Sequence, residues 1–157
     1  MNAVNYKNPT YLEALSWLFV IGLFVLPLFH YQELPDQIPS HFDANGKADA
    51  YSSKASIWIL PIIGTAIFLL LYFLSTAKLF RINAGRKLSP EEEAHKVLQG
   101  KKILHALKLI IPASFIYIVY KTIQTALGKS DGLGTAFLIV FLTLVFCVIA
   151  YYSWKSY

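Results

Sequence analysis

The stretch Ser56–Ala77, SIWILPIIGTAIFLLLYFLSTA, runs for 22 residues without a single charge. At about 1.5 Å of rise per residue, a helix of that length crosses a hydrocarbon core about 30 Å thick. Toward the N-terminus, Tyr11–His30 repeats the pattern, with Glu13 at its start as the only acid. Toward the C-terminus, Leu133–Tyr152 is uncharged throughout. A weaker stretch, Ile103–Gln124, lies between, its unbroken apolar run confined to the residues between Lys108 and Lys121. That run is short for a span, but both lysines have stems long enough to snorkel toward opposite interfaces. Pro112 inside it is expected to kink the helix or be accommodated by neighbouring helices. These stretches predict an all-α polytopic membrane protein with four transmembrane helices.

Composition agrees. The 157 residues are 56% hydrophobic and only 15% charged, with a mean hydropathy of +0.51. Soluble domains average about 45–50% apolar and about 25% charged. Disorder, a coiled coil and a disulfide scaffold are all excluded, and the single cysteine, Cys147, has no intrachain partner. The first stretch is longer than the core of a signal peptide and no small-x-small cleavage site follows it, so it reads as a retained anchor.

Lys and Arg placement predicts orientation. Between the second and third stretches fall Lys78, Arg81, Arg86, Lys87, Lys96, Lys101 and Lys102. Between the first and second fall only Lys47 and Lys54, against Glu33, Asp36, Asp43 and Asp49. The basic loop should stay in the cytoplasm with both termini, and the acidic loop should face out. Aromatic residues fit this, with Tyr31, Tyr51 and Trp58 at the outer interface and Tyr151, Tyr152 and Trp154 at the inner one. The net charge of +5 is then a topology signal, and its partner is anionic lipid rather than nucleic acid. Three regions follow: a two-span unit over 1–80 with a motif loop at 31–55, a basic cytoplasmic loop and juxtamembrane helix over 81–102, and two further spans over 103–157.

In the basic loop, Ser89-Pro90-Glu91-Glu92-Glu93 is a helix start. Ser89 caps, Pro90 suits the first helical position and Glu92 completes a capping box. The helix should continue through Leu98, Ile103 and Leu107 into the third span, with Gly85 turning the chain before it. Its basic face should rest on anionic headgroups, a partner-docking surface being the alternative. His95 and His105 stand ten apart, off the spacing that places two metal ligands on one helix face. Thr10 with Glu13 is read as a capping box for the first span, which accounts for the acid there.

The outer loop carries most of the chemistry. Pro35 and Pro39 push Leu34 and Ile38 into extended conformations. Asn45-Gly46 marks a hairpin turn, flanked by expected strands over 40–43 and 47–51. Period-two alternation would place His41 and Asp43 on one face and Phe42 on the other. Ser52 or Ser53 can cap the second span. The loop is therefore expected to be a short β-hairpin-like cap.

Three chemistries compete for its polar residues. His41, Asp43 and Asp49, with His30, Glu33 or Asp36, offer nitrogen and oxygen metal ligands. The run Asp43–Asp49 departs from a calcium loop, because Lys47 holds a ligand position and the closing Glu is missing. His41 could act as a base, yet the chain has no nucleophile elbow, H-E-x-x-H or phosphate loop. In the structural reading Asp43 and Asp49 satisfy turn amides, His41 makes a local hydrogen bond, and Lys54 pairs with an acid at headgroup level. The structural reading is preferred, with no metal, no cofactor and no catalytic residue.

The string Leu34-Pro35-Asp36-Gln37-Ile38-Pro39-x-His41-Phe42-x-x-x-Gly46-x-x-Asp49, followed by Lys54 between two apolar spans, resembles the bacterial membrane domain of unknown function numbered 1648. That domain also forms the N-terminal part of SdpI-type immunity proteins. The resemblance covers about the first 80 residues. It implies a multi-pass protein of the bacterial inner membrane with the motif facing outward, and no catalytic residues. The expected function is therefore non-enzymatic binding through Pro35, Asp36, Pro39, His41, Asp43, Gly46, Asp49 and Lys54. The partner would be an extracytoplasmic peptide or a membrane protein, in the manner of toxin immunity or sensing. The alternative is a small homo-oligomeric transporter or a subunit of a membrane assembly. In-span Ser75, Thr65, Ser114 and Thr143 are expected to serve helix packing.

Overall fold

The computed structural model describes residues 10–76 and 89–156. Lys78, Arg81, Gly85, Arg86 and Lys87 of the basic loop lie outside them, as does the Thr10 side chain. Helix α1 spans Thr10–His30, strands β1 and β2 span Gln37–Phe42 and Ala48–Ser53, and a 3₁₀ turn over Lys54–Trp58 leads into helix α2, Ile59–Thr76. Helix α3 covers Pro90–Ala126 and helix α4 Phe137–Trp154. All four helices are long and apolar enough to cross a membrane. The chain is a multi-pass membrane protein with a two-stranded antiparallel hairpin between its first two helices.

Helix α3 is the spine. It packs against α1, α2 and α4 and also carries β1 across its C-terminal end. Its 37 residues amount to about 55 Å of helix, so it projects well beyond the bilayer core at its N-terminal end. The expected start is borne out. Ser89 Oγ accepts from the Glu92 amide at 3.2 Å, and the Glu92 carboxylate accepts from the Ser89 amide at 2.8 Å. The helix then runs unbroken into the span, with Pro112 buried inside it. Where α2 crosses α1 and α3, Gly64 supplies the close approach. A Cβ there would stand 2.8 Å from the Phe115 ring and 3.0 Å from Leu23.

A buried apolar cluster lies at the hairpin end of the bundle. Leu34 and Ile38 of the cap, Ile57 of the 3₁₀ turn, Leu23 of α1, and Val119 and Ile123 of α3 form one buried cluster. Helix α4, by contrast, has no buried residue and lies along α3, with Cys147 exposed.

Some boundaries differ from the expected ones. The fourth helix begins at Phe137 rather than Leu133, because Leu133 is drawn into a buried loop contact. The second span opens with the 3₁₀ turn, and Ser53 at its head makes no side-chain cap hydrogen bond. Strand β1 starts three residues before the expected one. Pro39 faces Tyr51 and His41 faces Ala50, so an irregularity at Ser40 breaks the simple alternation assumed for this strand.

Candidate functional site

The hairpin tip is built by Asp43. Its amide donates to the Lys47 carbonyl at 2.8 Å, and its carbonyl accepts from the Gly46 amide at 2.9 Å. One carboxylate oxygen accepts from the amides of Asn45 at 2.9 Å and Lys47 at 2.8 Å. The amide of Lys47, helped by that of Asn45, holds the Asp43 carboxyl below its ordinary value, against a smaller opposing effect of burial. Asp43 is thus a turn residue, as the structural reading expects. Asp49 is not, because its carboxylate meets His41 Nδ1 at 2.6 Å across the two strands.

Gly46 does two things at once. Its φ of 76° is the left-handed conformation that favours glycine. It also lies against the loop joining α3 to α4. A Cβ on Gly46 would sit 2.6 Å from the Gly134 carbonyl oxygen, and one on Gly132 would sit 2.0 Å from the Gly46 carbonyl oxygen. The Leu133 amide donates to that same Gly46 oxygen at 2.7 Å, and Lys47 forms a bridge with Gly132. The loop is stiffened in turn. Tyr117 donates to the Leu133 carbonyl at 2.8 Å, Ser130 donates to the Gly132 carbonyl at 3.0 Å, and Lys121 donates to Ser130. The cap is therefore fastened at its tip by the second half of the chain.

Its base is fastened separately. The Lys54 amide donates to the Asp36 carbonyl at 2.9 Å, and Lys54 Nζ lies 3.8 Å from the Asp36 carboxylate. The same ammonium stands 5.6 Å from the centre of the Tyr31 ring, itself 6.0 Å from Trp58. Pro35 is exposed where the chain leaves α1, whereas Pro39 is buried beneath β1. His30 and Glu33 approach to 3.2 Å. Of the six motif residues other than proline, Asp36, Asp43, Gly46 and Lys54 serve to hold the cap's shape.

His41 and Asp49 remain. Their side chains are 68% and 47% exposed, so the pair adds little to stability. With Nδ1 held by Asp49, the other ring nitrogen of His41 meets no partner among the described residues. This is an oriented imidazole on a rigid platform. Among the described residues, no group of three or more His, Cys, Asp or Glu side chains is placed to hold a metal ion.

A second polar cluster lies at the far end of the helices. Lys108 of α3 is 1% exposed, and its ammonium reaches both Glu13 carboxylate oxygens, at 2.8 and 2.9 Å. His105 Nδ1 stands 3.7 Å from Glu13, and the Lys108 ammonium stands 5.1 Å from the centre of the Tyr72 ring on α2. Lys108 therefore commits its ammonium to an acid on another helix, and Glu13 does more than complement a helix start. A carboxylate one turn into one span and an ammonium within another are opposite charges that the membrane forces to meet. Pairing them by sign is the signal that would have found this contact.

Residues 18–65 match the family model for a domain of unknown function, DUF1648. The match runs from α1 through the hairpin and the 3₁₀ turn into α2, and it agrees with the resemblance seen in the motif. An uncharacterized protein from Archaeoglobus fulgidus is 28% identical over 151 residues, covering 87% of this chain and 75% of the relative. That similarity reaches well beyond the matched domain into the helices that fasten the cap. No solved structure matches.

Proposed function

We propose that a chain carrying a DUF1648 domain in its first half is a non-enzymatic recognition protein, displaying its hairpin cap on the outer face of a bacterial inner membrane. Both termini lie in the cytoplasm and the basic lead-in of α3 rests on anionic lipid. The cap takes an extracytoplasmic peptide or membrane-protein partner, a role that accords with the motif's likeness to SdpI-type immunity proteins. The observation that carries this reading is the His41–Asp49 pair, exposed at 2.6 Å on a hairpin fastened at tip and base. A fold has no need of an exposed polar side-chain pair, whereas a partner does benefit from an imidazole held in one orientation.

The test is photo-crosslinking in cells from Tyr51, 58% exposed on β2. Capture of an extracytoplasmic peptide or protein, lost in the double variant His41→Ala and Asp49→Ala while the helices stay folded, is the expected result. Crosslinks that persist unchanged in that variant, or none beyond lipid, would overturn it.

The Glu13–Lys108–His105 group, with its buried ammonium, favours a second reading, a small oligomeric transporter, because ionisable residues inside spans commonly mark a pathway. Proton or cation flux into proteoliposomes above background would support it.

A further inference from the structure

Strand β1 packs against α3, whereas β2 is hydrogen-bonded along one side only, to β1. Asp49, Ala50, Tyr51 and Ser53 are exposed along β2. Alternation fixes which backbone groups face away from β1. The Lys54 amide turns inward to the Asp36 carbonyl at 2.9 Å. Ser53, one residue back, therefore turns its amide outward, and Tyr51 turns out both its amide and its carbonyl. Pro39, which has no N–H to give, is the residue opposite Tyr51, as suits a pair whose backbone groups point away from each other. Among the described residues, no hydrogen bond from outside the hairpin reaches these three groups.

Further toward the tip, the same side of the chain already takes a strand. The Lys47 carbonyl turns inward to Asp43, so the Gly46 carbonyl turns outward, where it accepts from the Leu133 amide at 2.7 Å. Lys47 pairs there with Gly132 in antiparallel fashion. Beyond that contact, β2 carries neither the lysine nor the proline with which exposed edges are commonly blunted. Unpaired amides and carbonyls at strand spacing match the main chain of another extended segment, a pattern that neither an acyl chain nor a headgroup phosphate repeats.

Charge narrows the partner. Glu33, Asp36, Asp43 and Asp49 outnumber Lys47 and Lys54 on the cap, and the side chains of Asp36 and Asp49 are 100% and 47% exposed. A second copy would bring the same excess of acid to the pairing, whereas a basic segment is attracted. We propose that the outer edge of β2 takes an extended, lysine- or arginine-bearing segment of an extracytoplasmic peptide as a third strand. The segment bonds to the main chain of Tyr51 and Ser53, with Asp36 and Asp49 flanking it. The proposal rests on the recognition role of the cap and names how the partner is held. The loop that fastens the tip then begins the third strand, and the peptide continues it.

The full chain in phosphatidylcholine nanodiscs, titrated with the acetylated, amidated pentapeptide Lys-Val-Lys-Val-Lys, tests it. Binding should slow amide exchange at Tyr51 and Ser53 at least about tenfold. The same peptide N-methylated at every residue keeps its side chains but cannot donate, and should bind at least about tenfold more weakly. Replacing its lysines by glutamates should weaken binding at least as much at low salt. Ser53 already has a φ of −57°, which proline adopts, and its hydroxyl makes no capping bond. Ser53→Pro therefore deletes the outward amide and should weaken binding at least about tenfold, with the amide shifts of residues 43–47 unchanged. The N-methylated peptide decides independently of that variant's fold. No binding of the lysine peptide, equal binding of its N-methylated or glutamate form, or unchanged affinity in Ser53→Pro overturns the proposal. Dimers that form without peptide and dissociate in Ser53→Pro would give the edge to a second copy and overturn it as well. None of these failures touches the Tyr51 crosslink, which reports on the cap's partner whatever its mode of contact.

Discussion

Removing the charge of Glu13 should cost more stability than removing that of Lys108, although the two form one pair. Glu13→Gln leaves an ammonium that is 1% exposed facing a neutral amide. Lys108→Met leaves a carboxylate that is 25% exposed and still has His105 at 3.7 Å. Orphaning one member of a buried pair costs about 3–5 kcal/mol. Glu13→Gln should therefore fall at the upper end, about 4–5 kcal/mol, and Lys108→Met at or below about 3 kcal/mol. The double variant, with both charges gone, should recover to within about 1 kcal/mol of the parent, because well-packed neutral residues replace a buried pair at little net cost. The assay is reversible unfolding in bicelles, repeated at low and high salt, with the coupling energy read from the cycle. Salt should change little, since the pair is shielded from mobile ions. Additive single-variant effects, each below about 1 kcal/mol, would refute the idea that α1 and α3 are joined by a desolvated charge pair.

Gly46→Ala should destabilise the hairpin by about 2–3 kcal/mol, since it meets both a left-handed backbone and a carbonyl in contact, and proteolysis within 43–47 should rise with it. Ser89→Ala should cost about 1 kcal/mol and speed amide exchange in the first turn of α3, where the capping box is lost. The tip should also respond to acid. Asp43 has a folded pKa below its ordinary value of 3.8, so its contribution is present above that pH and lost as pH falls through the folded value. NMR shifts of residues 43–47 should therefore hold steady from neutral pH down past pH 5 and change only in strong acid, and Asp43→Asn should remove that transition.

What could be read from the sequence was local or one-dimensional. The spans followed from unbroken apolar length, the start of α3 from Ser89 and Glu92, and the hairpin from Asn45-Gly46, each a signal contained within a few residues. What could not be read was long-range. Lys108 finds Glu13 across 95 positions, and Gly46 finds Gly132 and Gly134 in a loop whose sequence carries no mark of strand pairing. A lysine near the end of a short apolar run reads as a snorkelling residue until an acid on another helix is known to face it. The irregularity at Ser40 had the same effect on the site. Alternation places His41 beside Asp43, but the altered register and the opposing strand bring it to Asp49 instead. The motif's polar residues were visible as a set, and their division into those that hold the cap and those that face outward needed the partners.

The account stands on the hairpin and the basic loop occupying opposite sides of the membrane. In a Cys147→Ser background, Asn45→Cys and Lys87→Cys variants expressed in intact cells and treated with a membrane-impermeant maleimide test this directly. Position 45 is exposed at the hairpin tip and should label at once, while position 87 should label only after the cells are opened. Labelling at 87 with protection at 45 would place the cap in the cytoplasm and contradict its role as an outward recognition surface.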